Sequence, residues 1–330
     1  MADRRRINPP PGGTIAPIFE QSTKRPSGAN NAQTRDASTP RQIFLRTGLV
    51  PSASGSSYLE QQPSLTASNS LVIAPTSSLK LICTVHGPRP LPRNTPFSST
   101  LLLSTHVKFA PFASRQRRGY IRDTAERDLG AHLETALRGV IIGERWPKSA
   151  CEVVITVLEG EDDAWFGEEL GKSGNAGQGQ QMSGWGMMNV LAGCITAASA
   201  AIAAAGIDCV DLVAGGVAAL PNSQAEHDDT EGSLAVQDPC PSEHQGLRAA
   251  CVVGYMQSRD EITELWMKGD VGPKPELLID QAVEAAVLTR AVLAEAVREA
   301  AQAKYNTTSG AANGAAVEAG ARSKDTEMKG

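Results

Sequence analysis

The stretch from Gly186 to Leu220 constrains the fold of this chain more than any other part of the sequence. Within it, large and medium apolar residues recur at steps of three and four, which predicts one face of an α-helix: Met188, Leu191, Ile195, Ala198 and Ile202. Ala, Gly and Ser fill most of the other positions, so other elements can approach this helix from every side. A helix that is apolar nearly all round is a core helix.

The sequence also predicts where that helix ends and where the next strand begins. Gly206 is the expected C-cap, because glycine takes the left-handed conformation at little cost. Val210, Leu212 and Val213 then predict a short buried strand. A membrane span is rejected, since Asp208 and Asp211 interrupt the run and alanine gains little free energy in lipid.

The amino-acid composition indicates which partners and which cellular compartment to expect. The 330 residues carry 31 Lys and Arg against 36 Asp and Glu, so any nucleic-acid contact must come from a local basic patch. The six cysteines form no CxxC pair and lie mostly in apolar runs, which is typical of reduced core thiols in an intracellular protein. The N-terminus has no apolar signal region, and we expect a soluble protein of the cytoplasm or nucleus.

Strand patterns dominate the first half of the chain. Residues 1–40 are rich in Arg, Pro, Gly and Ser and are expected to be a disordered tail. From Arg41 onward the alternation of apolar and polar residues predicts strands: 43–50, 55–60, a hairpin of 71–74 with 79–86, and 99–109. Gly87 to Pro90 is expected to end the strand that begins at Leu79.

Helices and strands alternate after residue 120. Asp123 and Glu126 have the spacing of a capping box, so an amphipathic helix is expected over 124–143. After this helix we expect a strand at 151–158, an insertion at about 160–185, a polar loop at about 222–232 and an antiparallel pair of 247–255 with 261–267. A final helix is expected from Pro273 or Pro275, and its buried face is expected to carry Leu278, Ala282, Ala285, Leu288 and Val292.

These elements predict one domain over residues 41–305, followed by a second disordered tail at 306–330. The order of strands, helix, strand, helix, strands and helix predicts an α+β (mixed α/β) fold of two similar halves, with mixed sheets packed on helices.

Few residues suggest enzyme chemistry. Gly171-Lys172-Ser173 lacks the first glycine of a phosphate-binding loop, and no apolar helix follows it. The five histidines show no metal-ligand spacing. His244, with Glu243 and Asp238 nearby, resembles an acid–base or metal cluster, although a polar turn before a strand is the simpler interpretation. There is no Gly-x-Ser-x-Gly motif for a serine nucleophile.

The densest local charge is a basic loop. Arg115, Arg117, Arg118 and Arg122 lie between the strand that ends at Phe109 and the capped helix, with Phe112 and Tyr120 as neighbouring aromatic surfaces. Cations interleaved with aromatic rings are typical of single-strand binding. A solvated loop explains the same pattern and is the simpler interpretation of the residues alone.

Several segments resemble, in order, ribonuclease PH-type domains. They are Phe44 to Gly48, Gly55 to Glu60, Leu81 to Arg89, Glu126 to Leu137, Arg145 to Pro147, Cys151 to Leu158, Ile195 to Ala198, Ala205 to Ile207 and Asp211 to Val213. The match covers residues 41–304, and its shared order is more specific than any single motif. The helix start Ala125 to Leu129 is most similar to one class of subunit in the eukaryotic RNA exosome ring.

The resemblance also implies where an active site would lie. Active members of the family phosphorolyse RNA from its 3′ end, using arginines for phosphate and two aspartates for a metal. Here the turn that binds phosphate falls near Asn189 to Leu191, and the first-helix arginine falls near Asp123. The aspartates fall near His244 and Ala250, and no arginine stands between Arg145 and Arg248.

Phosphorolysis requires cations that hold phosphate and carboxylates that hold a metal. The expected phosphate positions lack the cations, and the expected metal positions lack the carboxylates. The resemblance therefore implies a non-catalytic ring subunit with no cofactor and no metal, whose RNA-binding residues are Arg115, Arg117, Arg118 and Arg122. An active phosphorolytic 3′-to-5′ exoribonuclease is the alternative, and a metabolic α/β enzyme has no motif to support it.

The implied partners are other ribonuclease PH-like subunits, paired as heterodimers in a ring of six. The resemblance also implies three further partners: RNA-binding cap proteins, a separate catalytic nuclease and single-stranded RNA. It implies no contact with a membrane. The implied locations are the nucleus with its nucleolus, and the cytoplasm.

Overall fold

A computed structural model describes residues 36–61, 78–92, 94–113, 121, 123–160, 185–221, 235–240, 247–272 and 275–327. The strands are β1 Ile43–Thr47, β2 Gly55–Gln61, β3 Leu79–Pro90, β4 Leu102–Phe109, β5 Ser149–Glu159, β6 Val213–Pro221, β7 Val236–Gln237, β8 Leu247–Met256 and β9 Glu261–Gly269. The helices are α1 Thr124–Arg138, α2 Trp185–Ala205 and α3 Pro275–Glu327, with a 3₁₀ turn at Gly143–Arg145.

The first sheet has five strands in the order β1-β2-β3-β5-β4. All pairs are antiparallel except β4 with β5, which are parallel and joined through α1. The expected hairpin of 71–74 with 79–86 is wrong, because β3 pairs with β2 along one edge and with β5 along the other. Gln61 lies opposite Leu79, so β2 is the partner, and residues 71–74 lie outside the described residues. Gly87 to Pro90 does not end β3, which continues to Pro90 across a register shift after His86.

The second sheet is antiparallel throughout, in the order β7-β6-β8-β9. α2 lies between the two sheets, against β2 and β3 on one side and β6 and β8 on the other, while α3 covers the far face of the second sheet. The expected α+β fold with mixed sheets packed on helices is confirmed.

α2 is the centre of the core, as the sequence predicts. Residues from Gly186 to Ile202 are buried without a break. By length and composition α2 could cross a membrane, with a mean hydropathy of 1.7, but 89% of that window is buried inside the protein, as in a core helix. Gly206 ends the helix at a φ of 74°, the left-handed conformation expected of it. The strand after it begins at Val213 rather than at Val210, whose N–H binds the Val140 carbonyl instead.

α1 shows the predicted capping box. The Asp123 side chain accepts from the Thr124 N–H at 2.7 Å, and the Glu126 carboxylate accepts from the Asp123 N–H at 3.1 Å. Glu126 also accepts from the Phe109 N–H at 2.9 Å, which ties the helix to β4. α1 ends at Arg138, five residues before the predicted end, because Ile141 forms a bridge with Cys209 instead.

The buried face of α3 differs from the prediction. Leu278, Ala282 and Ala285 are buried, but Leu288 and Val292 are 47% and 36% exposed. The buried series continues instead through Ala286, Thr289 and Leu293, which follows the period of 3.6 residues more closely. α3 also extends to Glu327, where the sequence predicts a disordered tail from residue 306.

Candidate functional site

The positions to which the resemblance assigns phosphate binding are core and capping residues in this structure. Asn189, Val190 and Leu191 are buried inside α2, so the expected placement of the phosphate turn there is wrong. A turn before α2 would fall in residues 161–184, outside the described residues, and those residues contain no arginine. Asp123 is the N-cap of α1.

One of the two expected metal positions, near Ala250, cannot hold a metal. Ala250 is buried in β8 under α2, and His244 lies outside the described residues. Within the described ranges, no three His, Cys, Asp or Glu side chains lie close enough together to hold a metal ion.

A buried ion pair joins the start of the first sheet to the second sheet. The Arg41 guanidinium donates from Nε to Oδ2 of Asp238 at 2.9 Å and from Nη2 to Oδ1 at 2.8 Å. The Arg41 backbone N–H donates to the same Oδ2 at 2.9 Å, and Gln61 Nε2 adds a further bond at 2.7 Å. A two-pronged pair of this kind is the strongest arrangement available to an arginine and a carboxylate.

The backbone around Asp238 fixes this geometry. Asp238 has a φ of 51°, and its N–H donates to the Val217 carbonyl at 2.8 Å. Asn189 Nδ2, near the start of α2, donates to the Pro239 carbonyl at 2.8 Å. The Arg41 and Asp238 side chains are only 2% and 8% exposed, so neither charge is presented to solvent.

This arrangement contains contacts that the sequence interpretation missed. Asp238 pairs with Arg41, while Glu243 and His244, the other members of the acid–base or metal cluster that the sequence resembles, lie outside the described residues. Arg41 and Gln61 were not predicted as part of any site, because 197 and 177 residues separate them from Asp238. No local spacing signals such a contact.

A small cavity adjoins the ion pair. Its volume is about 30 Å³, enough for one or two water molecules and far too little for a nucleotide. Its walls include Gln61, Asn189, Thr196, Asp238 and Thr289. The junction is therefore a structural core feature, and it offers no cation to an attacking phosphate.

Cys151, Cys209 and Cys251 are poor nucleophiles. All six are free thiols, and five of them are buried. Burial raises the pKa of Cys151 and of Cys209 to about 11 and that of Cys251 to about 12. The thiolate is the reactive form, so these thiols are unreactive near neutral pH.

The basic loop begins and ends on described residues. Arg115, Arg117, Arg118 and Arg122 themselves lie outside the described residues. Before the loop, Ala113 is buried and its carbonyl accepts from the Gly160 N–H at 3.2 Å. After it, Asp123 begins α1. Phe112 and Ile121, near the two ends of the loop sequence, are 73% and 71% exposed.

Known proteins similar to this chain agree on its family. The family described as "3' exoribonuclease family, domain 1" (RNase PH) matches residues 39–208. The chain is 50% identical over 305 residues to exosome complex component MTR3 of Chaetomium thermophilum, covering 91% of this chain and 99% of the relative. It is 28% identical to exosome complex component mtr3 of Schizosaccharomyces pombe, covering 90% and 96%.

Solved structures show the same fold. Rice (Oryza sativa) Rrp46 superposes with a TM-score of 0.58 at 15% identity, over 81% of this chain and 99% of that one. A chain of the Archaeoglobus fulgidus exosome with RNA bound to the active site gives 0.54 at 13% identity, over 79% and 90%. The chain belongs to the RNase PH family of 3′ exoribonucleases and their relatives.

Proposed function

We propose that this chain is a non-catalytic ring subunit of the RNA exosome. It supports 3′-to-5′ RNA processing and degradation by holding the ring together and lining its RNA channel. The observation that carries the proposal is the 50% identity to an exosome complex component over nearly the full length of both chains. Its partners would be other RNase PH-like subunits, cap RNA-binding proteins, a separate catalytic nuclease and single-stranded RNA, in the nucleus with its nucleolus and in the cytoplasm.

The absence of catalysis is part of the same proposal. The buried arginine at the junction of the sheets, Arg41, is neutralised by Asp238 and cannot bind an attacking phosphate without breaking that pair. The sequence between Arg145 and Arg248 contains no arginine, so the segment that leads into α2 supplies no guanidinium to replace it. The alternative, an active phosphorolytic exoribonuclease, would need arginines that this part of the sequence lacks.

RNA contact is proposed for the basic loop. Arg115, Arg117, Arg118 and Arg122 carry four positive charges in a chain whose net charge is −5, so they would attract a phosphate backbone locally. The exposed Phe112 beside the loop offers an aromatic face for a base. Contacts to phosphates position RNA without reading its sequence.

Purification of the tagged full-length chain from its own cells tests the proposal. We expect several other RNase PH-like proteins to remain bound at physiological salt, because ring interfaces of obligate assemblies are large and apolar. Expressed without those partners, the chain is expected to self-associate or aggregate. Recovery of the tagged chain as a monomer with no such protein attached would contradict ring membership.

A further inference from the structure

α1 and α2 begin at the same end of the protein. The Phe109 N–H at the end of β4 donates to Glu126 in the first turn of α1, so α1 begins where β4 ends. In α2, Gly193 packs against Leu79 at the start of β3, which lies beside the end of β5. Since β4 and β5 are parallel, both helices begin at the end of the sheet where these two strands stop. The basic loop precedes Asp123, the N-cap of α1, and therefore reaches the domain at this end.

The second sheet brings two further segments to the same end. A Cβ at Gly269, the last residue of β9, would lie 3.0 Å from Cη2 of Trp185, the first residue of α2. Gly269 is the partner of Ala249, so Arg248, near the start of β8, lies beside it. The end of β9 and the start of β8 are therefore placed next to the start of α2.

Lys268 of β9 holds its ammonium group over the Trp185 ring. The distance from Nζ to the ring centroid is 5.7 Å, which is within the range of a cation–π contact. Trp185 is half-buried against the core, whereas Lys268 is exposed. Two residues earlier on β9, Trp266 is stacked on the His132 ring of α1 at 5.0 Å between centroids. Because both helices hold this face of β9, the position of the Lys268 charge is defined.

A second cation, Arg248, lies near Lys268. Ala250, two residues after Arg248, is the partner of Lys268 across the β8–β9 ladder. Arg248 Nη2 donates to Asp270 Oδ2 at 2.9 Å, but the two side chains are 52% and 74% exposed. Ion pairs this exposed are weak, so a phosphate can replace the carboxylate as the acceptor. A guanidinium suits that role, because it can donate two parallel hydrogen bonds to a phosphate.

A similar lysine–aromatic pair lies at the opposite end of the domain. Lys148 Nζ is 5.3 Å from the centroid of the Phe97 ring, and Lys148 directly precedes β5. β5 runs over 11 residues before it reaches the end that carries the basic loop, a length of about 36 Å. The Lys148 pair therefore has the same chemistry as the Lys268 pair and a different location, which makes it a matched control.

We infer that Lys268 and Arg248 bind phosphates of single-stranded RNA, and that Trp185 positions the Lys268 ammonium group for this contact. The inference rests on the proposed function and adds named RNA contacts to those proposed for the basic loop. A strand of RNA at this end meets cations from the first sheet through the loop and from the second sheet through β8 and β9. These contacts hold the RNA and read no base, because they involve phosphates alone.

Crosslinking of RNA to the assembled complex tests the inference. Single-stranded oligouridine that carries 4-thiouridine is bound to the complex purified through the tagged full-length chain and is then irradiated. Mass spectrometry identifies the crosslinked residues. We expect a crosslink at Trp185 and none at Phe97, since only Trp185 lies at the end that carries the basic loop. A crosslink at both rings, at Phe97 alone or at neither ring overturns the inference.

Substitutions test the separate roles of the lysine and the tryptophan. Lys268→Ala should lower the slope of log RNA affinity against log salt concentration by about 0.7, the contribution of one phosphate on a single strand. Lys268→Arg should retain the slope. Trp185→Leu should weaken RNA binding and Trp185→Phe should restore it, because a phenyl ring still holds the ammonium group. Lys148→Ala, the control, should change neither affinity nor slope.

The outcomes distinguish this inference from the proposed function. If the unmodified chain purifies with no RNase PH-like protein, the proposed function fails and this inference fails with it. If the complex forms and binds RNA, but Lys268→Ala has the same salt slope as Lys148→Ala, only this inference is overturned. The crosslink at Trp185 is measured on the unmodified chain, so it decides the question even where a variant does not assemble.

Discussion

At the scale of single residues, arginines in this chain have two different roles. Arg41 is enclosed with Asp238 and contributes to the structure, because a buried ion pair leaves an uncompensated charge if either partner is removed. Arg115, Arg117 and Arg118 stand in a loop between the exposed side chains of Phe112 and Ile121, and we propose that they face RNA. The two roles follow from environment rather than from residue type.

The loop arginines are expected to bind RNA through phosphates only. Each phosphate neutralised on a single strand contributes about 0.7 to the slope of log affinity against log salt concentration. Replacing Arg115, Arg117 and Arg118 by alanine in the assembled ring should therefore weaken RNA binding and flatten that slope by about two units. The measurement is RNA affinity of the purified ring over a range of salt concentrations.

A control variant removes three positive charges from other parts of the protein surface. Arg138, Arg259 and Arg298 are exposed on α1, on the β8–β9 turn and on α3. Their replacement by alanine should leave the salt slope unchanged. If the loop variant assembles and its slope equals that of the control, the loop is a solvated connector and the RNA proposal for it is wrong.

At the scale of elements, two consecutive glycines allow β6 to fit between two helices. A Cβ at Gly215 would overlap the backbone of Ala192 in α2, and a Cβ at Gly216 would overlap the backbone of Ala282 and Ala286 in α3. Because successive residues of a strand face opposite sides, the pair lets both helices approach the same strand. The alanine-rich surfaces of α2 and α3 serve the same close packing.

Replacement of either glycine by alanine is expected to destabilise the subunit. Overpacking of a tight core costs about 1–3 kcal/mol, and here the obstacle is backbone that cannot move aside easily. The measurement is the temperature at which this subunit becomes insoluble or protease-sensitive within the co-purified assembly. Gly139→Ala is the control, since a Cβ there meets nothing within 4 Å and its φ is −76°. A Gly215→Ala variant as stable as Gly139→Ala would contradict this account of the packing.

At the scale of the whole molecule, local patterns predicted the elements and long-range contacts remained hidden. The capping box at Asp123 and the glycine stop at Gly206 were correct, because each is decided within a few residues. The partner of β3 was wrong, since strand pairing over a long connection leaves no local signal. Leu288 and Val292 were assigned to the wrong face, because an alanine-rich helix offers several equally apolar stripes.

For the candidate site, too, some features could be predicted from the sequence and others required the structure. The absence of arginine between Arg145 and Arg248 can be read directly from the sequence. The pairing of Arg41 with Asp238 requires the fold, because only the meeting of the two sheets brings residues 197 positions apart together.

The central claim is that a fold related to 3′ exoribonucleases here serves as a ring component without catalysis. The most direct measurement is release of nucleoside diphosphates when the purified chain is incubated with single-stranded RNA, Mg²⁺ and inorganic phosphate, beside an active phosphorolytic ribonuclease as positive control. We predict no release above the protein-free blank, because the positions expected to hold the attacking phosphate carry no arginine. Phosphate-dependent release that disappears on Asp238→Asn or Glu243→Gln, in variants that still purify with their partners, would contradict the account and establish the chain as an active exoribonuclease.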